Sequence, residues 1–132
     1  MEGPAAELLL LACAAIVGLV QLLWAAAAAR GQQGLKWGAG PRDEPRPLTG
    51  VAGRLDRAFR NFLETFPIFV AAVVGAYLAG KLGALTLWGC ALYVAARALY
   101  VPLYAAGVPM IRSLVWGVSL AGLVMVLSAI FL

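Results

Sequence analysis

The sequence predicts an all-α integral membrane protein, folded as a single domain of four transmembrane helices. Of its 132 residues, 64% are hydrophobic and only 12% are charged, and the mean hydropathy is +0.93. A soluble domain of this length would be about half apolar and about a quarter charged. Polar breaks divide the apolar sequence into four runs, each long enough to cross a bilayer core of about 30 Å.

The first run, residues 8–29, carries Gln21 as its only polar side chain. A cleaved signal peptide is the alternative, with Ala25–Ala29 as the cleavage region. Signal peptides begin with basic residues and have a shorter apolar core, whereas this chain begins with Glu2 and Glu7. We therefore expect the first run to be retained as a true membrane helix.

Residues 30–57 are predicted to form a loop, because glycine and proline are too frequent there for a long helix. The charged turn Pro41-Arg42-Asp43-Glu44-Pro45 could cap the bundle at the membrane surface or could equally be a solvated linker. Of the ten basic residues of the chain, seven lie from the end of the first span to the start of the second: Arg30, Lys36, Arg42, Arg46, Arg54, Arg57 and Arg60. The positive-inside rule therefore places the loop in the cytoplasm and both termini on the other side.

The other three spans are predicted at residues 58–80, 82–106 and 112–132. Lys81 and Gly83 mark the turn between the second and third, and Gly107-Val108-Pro109 separates the third from the fourth. Pro67 should bend the second helix near Glu64, because proline removes a backbone hydrogen bond and clashes with the preceding turn.

A polar stripe marks the start of the second span. Arg57, Asn61 and Glu64 follow one another at i, i+4 and i+7, with Arg60 beside them. A carboxylate and an amide at this depth are costly in lipid, so such residues usually face a protein interior or a water-filled site. The stripe therefore indicates a binding site.

Two further segments carry polar groups to the same membrane depth. The third helix has a single-face stripe of Tyr93, Arg97, Tyr100 and Tyr104, and the fourth begins with Arg112 and Ser113. Arginine binds carboxylates, tyrosine donates hydrogen bonds, and a carboxylate can hold an ammonium group. The matching ligand is small, anionic and zwitterionic. The alternatives are that these side chains only reach for the interface, or that Glu64 and Arg97 form an ion pair that pins two helices together.

Neither a disulfide framework nor a metal site is expected. Cys13 and Cys90 both lie inside apolar runs, no CxxC spacing occurs, and the chain has no histidine. We expect membrane lipids as partners and no nucleic acid.

The polar segments resemble the signature of the MAPEG family, the membrane-associated proteins in eicosanoid and glutathione metabolism. The resemblance rests on Arg57-Ala58-x-Arg60-Asn61-x-x-Glu64-Thr65 with Pro67 close behind, on Arg97 with Tyr104, and on Pro109-x-x-Arg112-Ser113. It covers essentially the whole chain. The match is closest to the branch of microsomal prostaglandin E synthase and glutathione transferase, while the loop at Pro41–Pro45 looks more like the bacterial members.

The resemblance implies a homotrimer in the bacterial inner membrane that binds glutathione as cosubstrate between neighbouring subunits. Glutathione would be held by Arg60, Asn61, Glu64 and Tyr104, with Arg57 and Arg97 in support. Tyr100, on the same helix face, is expected to bind glutathione as well. Arg112, with Ser113, would sit by the sulfur and favour the thiolate. Arg30 would reach a glutathione carboxylate of the adjacent subunit.

Two positions and one spacing depart from the family pattern. Tyr100 stands where the prostaglandin branch has histidine, and Thr65 replaces the tyrosine that follows the glutamate in the leukotriene branch. The spacing from Tyr104 to Arg112 is one residue shorter than in the prostaglandin branch. The glutathione assignment tolerates these changes better than any lipid substrate does.

Three functions follow as hypotheses. The first is a glutathione-dependent transferase or peroxidase acting on a lipophilic electrophile. The second is a family member that binds a lipid or a partner without catalysis. The third is a small four-helix transporter that uses Glu64 as its coupling carboxylate, a role that pairing with nearby arginines would oppose.

Overall fold

The computed structural model describes residues 3–132, and in that range the chain forms five helices and no strand. The helices are α1 (Ala6–Gln33), α2 (Leu35–Ala39), α3 (Gly50–Leu78), α4 (Ala84–Ala105) and α5 (Pro109–Ala129). All except the short α2 are long and apolar enough to cross a membrane. The predicted fold class is therefore confirmed, and the protein is an integral multi-pass membrane protein. Glu2, one of the two acidic residues used above, lies outside the described residues.

The connection between the first two spans is shorter than the predicted loop of residues 30–57. α1 continues to Gln33, α2 adds a further turn, and α3 already begins at Gly50. The early start of α3 has a packing cause, since Ala52, Leu55 and Ala58 are buried and extend its apolar stripe towards the N-terminus. Arg54 is consequently a helical residue rather than a loop residue, and it lies on the same helix as Arg57 and Arg60.

The core lies where the four long helices meet. Phe69 of α3 stacks on Tyr93 of α4 with ring centroids 4.0 Å apart, and Ala14 of α1 and Val126 of α5 complete this cluster. α3 runs through Pro67 without interruption, and α4 does the same through Pro102. The large apolar side chains on the outer faces of the bundle are exposed, as expected for surfaces that meet lipid.

α4 and α5 form a hairpin whose backbones touch. A Cβ on Gly89 would lie 2.7 Å from the carbonyl oxygen of Gly122, and a Cβ on Gly122 would lie 2.5 Å from that of Gly89. Only glycine permits this approach, which is a common device where membrane helices pack closely. Gly107, with φ of 77°, makes the turn between the two helices.

Polar contacts tie both ends of the bundle together. At the end where α1 begins, the Thr86 hydroxyl donates to Oε1 of the buried Glu7 at 2.7 Å. At the end where α3 begins, Arg54 Nε donates to the carbonyl oxygen of Ala105 at 2.9 Å, so it satisfies a carbonyl of the last turn of α4. The second of these ends also carries the polar residues singled out above.

Candidate functional site

A cavity of about 410 Å³ opens between the N-terminal half of α3, the C-terminal end of α4 and the start of α5. Its size falls in the range of small-molecule sites. Most of the predicted site residues line it, and the full set is Arg57, Arg60, Asn61, Glu64, Tyr100, Tyr104, Arg112, Ser113 and Trp116. The helical spacings in the sequence thus bring three distant segments to one place.

Tyr104 lies between two of the arginines. Arg57 Nε donates to the Tyr104 hydroxyl at 3.2 Å, and the guanidinium carbon of Arg112 lies 4.4 Å from the centroid of the Tyr104 ring. Cation–π attraction at this distance holds Arg112 against the aromatic face. The side chain of Arg112 therefore extends across from α5 towards α4, which places its charge in the cavity.

Arg97 lies behind the cavity wall, fully buried. Its Nη1 donates to Oδ1 of Asn61 at 2.8 Å, and its guanidinium carbon lies 4.5 Å from the Tyr100 ring centroid. Nε and Nη2 have no hydrogen-bond partner within the described residues. Arg97 thus contacts two cavity residues without lining the cavity itself, and the supporting role that the resemblance implied for it stays a prediction.

Glu64 makes no ion pair in the part of the chain that the structure describes. The ion pairs found there join Arg46 to Glu44 at 3.9 Å and Arg60 to Asp56 at 3.2 Å. The alternative in which Glu64 and Arg97 pin two helices together as an ion pair is therefore wrong, and so is the idea that nearby arginines pair Glu64 directly. Glu64 is exposed on the cavity lining, where its carboxylate can meet a ligand.

Some predicted residues point elsewhere or are already engaged. Tyr93 is fully buried in the core, where its hydroxyl lies 2.9 Å from that of Thr65. Of the tyrosines in the α4 stripe, Tyr100 and Tyr104 line the cavity and Tyr93 does not. The Ser113 hydroxyl lines the cavity but donates to the Pro109 carbonyl at 3.2 Å. Arg60 shares its charge with Asp56, as noted above.

Arg30 does not line this cavity. Its Nη2 donates to Oε1 of Gln33 at 2.6 Å, and the side chain lines a second cavity beside the connection between α1 and α3. The role expected for it, contact with glutathione of an adjacent subunit, stays a prediction.

Two contributors were missed in the sequence. Trp116 lines the cavity one helical turn after Arg112, and the i, i+4 spacing from that arginine could have identified it. Asp56 was overlooked as the partner of Arg60, although it also lies at i, i+4. Trp116 gives the cavity an apolar wall on the α5 side.

The lining can bind an anion that also carries one positive group. Arg57, Arg60 and Arg112 supply positive charge, Glu64 supplies one carboxylate, and tyrosine hydroxyls supply neutral hydrogen-bonding groups. Arg112 lies in the first turn of α5, where the helix dipole adds further positive potential. The described residues contain no cluster of three or more potential metal-binding side chains.

The sequence was also compared with known proteins. No curated protein and no solved structure matched it. The sequence model of the MAPEG family matches residues 9–132. Since that match takes in nearly all of the 132 residues and all four membrane helices, the chain belongs to the MAPEG family.

Proposed function

We propose that the protein is a glutathione-dependent membrane transferase or peroxidase that acts on a lipophilic electrophile. The observation that carries the proposal is the cavity in which Arg57, Arg60 and Arg112 surround a ligand space beside Glu64, whose carboxylate has no ion-pair partner within residues 3–132. Family membership supports a glutathione-related function in general terms. Pairing of Glu64 with nearby arginines no longer argues against a transporter, because Glu64 makes no ion pair within residues 3–132. Family membership disfavours the transporter hypothesis instead.

The charges of glutathione match this lining. The tripeptide carries two carboxylates, one ammonium group and a thiol. The carboxylates suit the arginines, because arginine forms short charge-assisted hydrogen bonds with carboxylates. Glu64 is the single acidic side chain among the described residues of the lining and is the partner for the ammonium group.

Arg112 is assigned to the thiol. A free thiol has a pKa of about 8.5, and a neighbouring cation lowers the thiol pKa, so more of the nucleophilic thiolate exists at neutral pH. Arg112 and the α5 N-terminus together supply this positive potential without a histidine base. The thiolate then attacks an electrophilic carbon, a C–S bond forms, and the departing group or an incoming proton balances the charge.

The first experiment separates thiol activation from binding. In Arg112→Ala we expect glutathione affinity, measured by calorimetry, to stay within a few-fold of the wild type, because the carboxylate and ammonium contacts remain. The ultraviolet absorbance of the bound thiolate and the conjugation of a model electrophile should both be lost. Lys81→Ala, which removes a cation from the turn at the other end of the bundle, is the matched control. Normal thiolate formation in Arg112→Ala would disprove the assigned chemistry.

The second experiment tests Glu64. Loss of a charge-assisted hydrogen bond costs about 1.5–3 kcal/mol, so glutathione affinity in Glu64→Ala should fall about tenfold or more. Asp43→Ala removes an exposed carboxylate that lines no cavity described here, and it should bind normally. If Glu64→Ala binds glutathione like the wild type, the polar stripe is structural and the non-catalytic hypothesis becomes the better one. If the wild type itself binds no glutathione, the proposal as a whole fails.

We also propose that the subunits assemble as a homotrimer, in keeping with the family. Small residues let membrane helices approach closely, and several of them are already used within one subunit, since Gly122 packs on Gly89 and Ala72 and Ala76 are fully buried. Ala71 and Gly117 remain on the surface, and a Cβ on Gly117 would meet nothing within 4 Å. Gly117→Leu should therefore leave the subunit folded but lower the trimer fraction in native mass spectrometry. A wild type that is monomeric in every detergent would refute the assembly.

A further inference from the structure

A second cavity, of about 400 Å³, lies under the connection between α1 and α3. Five arginines and one aspartate, Asp56, are among its lining residues; the arginines are Arg30, Arg42, Arg46, Arg57 and Arg60. Arg57 and Arg60 also line the first cavity, whereas the other three arginines do not. The second cavity is thus a basic site in which Arg42 and Arg46 have no part in the proposed glutathione chemistry.

Much of this positive charge has no counter-charge within the described residues. Asp56 is the ion-pair partner of Arg60, and Arg46 meets Glu44 only at 3.9 Å, with both side chains substantially exposed. Arg30 and Arg42 make no ion pair anywhere in residues 3–132. The guanidinium carbons of Arg30, Arg42 and Arg46 each lie 5.8 Å from the centroid of the Trp37 ring, so one indole supports three cations. Such clustered cations favour a multiply hydrogen-bonding anion.

The arginines are held in place by hydrogen bonds, most of them partly buried. Gln33 is 8% exposed, and its Oε1 accepts from Arg30 Nη2 while its Nε2 donates to the Arg46 carbonyl oxygen at 2.6 Å. Arg46 Nη1 returns a bond to the Gln33 carbonyl oxygen at 2.8 Å. Arg42 Nε donates to the Gly38 carbonyl at 3.0 Å. Because these anchors fix the guanidinium groups, binding an anion costs little ordering entropy.

An apolar groove continues directly from this basic cavity. A third cavity of about 350 Å³ shares Ala29, Arg30, Arg42 and Asp56 with the second one. Its remaining lining is Leu22, Ala25, Ala26 and Phe59, which lie further along α1 and on α3. Leu22 precedes Arg30 by about two helical turns, so the groove runs from the basic cavity towards the middle of the membrane.

We propose that the two cavities together bind an anionic phospholipid. The phosphodiester head group lies among Arg30, Arg42 and Arg46, and the first part of one acyl chain lies in the groove beside Ala26. Arginine suits this role because its planar guanidinium group binds phosphate oxygens in a bidentate manner. A soluble phosphate ester would satisfy the arginines alone and leave the apolar groove without an occupant, so the contiguity of the two cavities favours the lipid.

The test compares lipids that differ only in head group. The delipidated full-length protein, in an uncharged detergent, is incubated with equal amounts of phosphatidylglycerol and phosphatidylcholine of identical chains. Native mass spectrometry then counts the retained molecules. We expect the wild type to retain more phosphatidylglycerol than phosphatidylcholine. In Arg42→Gln the ratio of the two retained lipids should fall about fivefold, the effect of one arginine near a membrane surface. Lys36→Gln removes a charge from α2 without touching either cavity and should behave as the wild type.

A second pair of variants tests the acyl groove. Ala26→Phe fills the groove and should lower phosphatidylglycerol retention, whereas Ala27→Phe, at an exposed position outside it, should not. Equal retention of the two lipids by the wild type would overturn the proposal. So would displacement of phosphatidylglycerol by glycerol phosphate at equal concentration with no effect of Ala26→Phe, which would identify a soluble phosphate ester as the ligand. If the wild type binds no lipid and Ala26→Phe lowers the fraction of oligomer in native mass spectrometry, a second copy of the chain covers this face instead, and the proposal is overturned.

Discussion

The contact between Gly89 and Gly122 gives the sharpest prediction about stability. In Gly122→Ala the new methyl group would lie 2.5 Å from the Gly89 carbonyl oxygen and 2.8 Å from the Tyr93 amide nitrogen. Both atoms belong to the α4 backbone and cannot rotate away, so the helices must separate. Overpacking of this kind typically costs about 1–3 kcal/mol, and we expect the free energy of unfolding to fall by that amount.

The matched control is Gly31→Ala, the same substitution in the last turn of α1. A Cβ there would meet nothing within 4 Å, so only helix propensity changes, and the variant should be neutral or more stable by up to about 1 kcal/mol. Unfolding of both variants in mixed micelles, followed by circular dichroism, measures the difference. If Gly122→Ala is as stable as Gly31→Ala, the close approach of α4 and α5 does not contribute as described.

Three further predictions concern other parts of the molecule. Thr86→Val should destabilise the fold by about 1–3 kcal/mol, because the buried Glu7 loses the hydroxyl that donates to it at 2.7 Å. If Glu7→Gln destabilises the Thr86→Val protein as much as it destabilises the wild type, the two residues are not coupled. Arg97→Met should lower glutathione affinity about tenfold with the fold intact, since Asn61 loses its 2.8 Å hydrogen bond to Arg97. If the losses of affinity in Arg97→Met and Asn61→Ala add in the double variant, Arg97 does not act by positioning the Asn61 amide. Finally, Asp43→Cys places a thiol at an exposed position of the connection between α1 and α3. It should react with an impermeant reagent in inverted membrane vesicles and not in intact cells, and labelling in intact cells would contradict the predicted orientation.

The sequence predicted the four helices and most of the cavity because both depend on simple periodicity. Residues Arg57, Asn61 and Glu64 share a helix face by spacing alone, and lipid requires every span to be helical. Intramembrane charge singled out Arg97, and the structure places it fully buried beside Asn61.

Features that depend on tertiary contacts could not be read in this way. The connection between α1 and α3 is rich in glycine and proline, yet the hydrogen bonds between Gln33 and Arg46 and the arginines around Trp37 give it a defined conformation. The sequence also does not show that Gly122 packs on Gly89 within the subunit. Local patterns do not reveal which of several possible partners a small or cationic residue finds.

The bond between Arg97 and Asn61 has a consequence for the direction in which a ligand binds. Because a guanidinium group has no acceptor, the amide must turn its oxygen towards Arg97, which leaves the NH₂ of Asn61 as the polar group that can meet a ligand. The Tyr104 hydroxyl accepts from Arg57, so its own proton is also available. The described part of the lining therefore offers donors on nearly every side and a single carboxylate acceptor at Glu64. A zwitterion turned end for end would bring like charges together there, so the cavity fixes head-to-tail polarity as well as affinity.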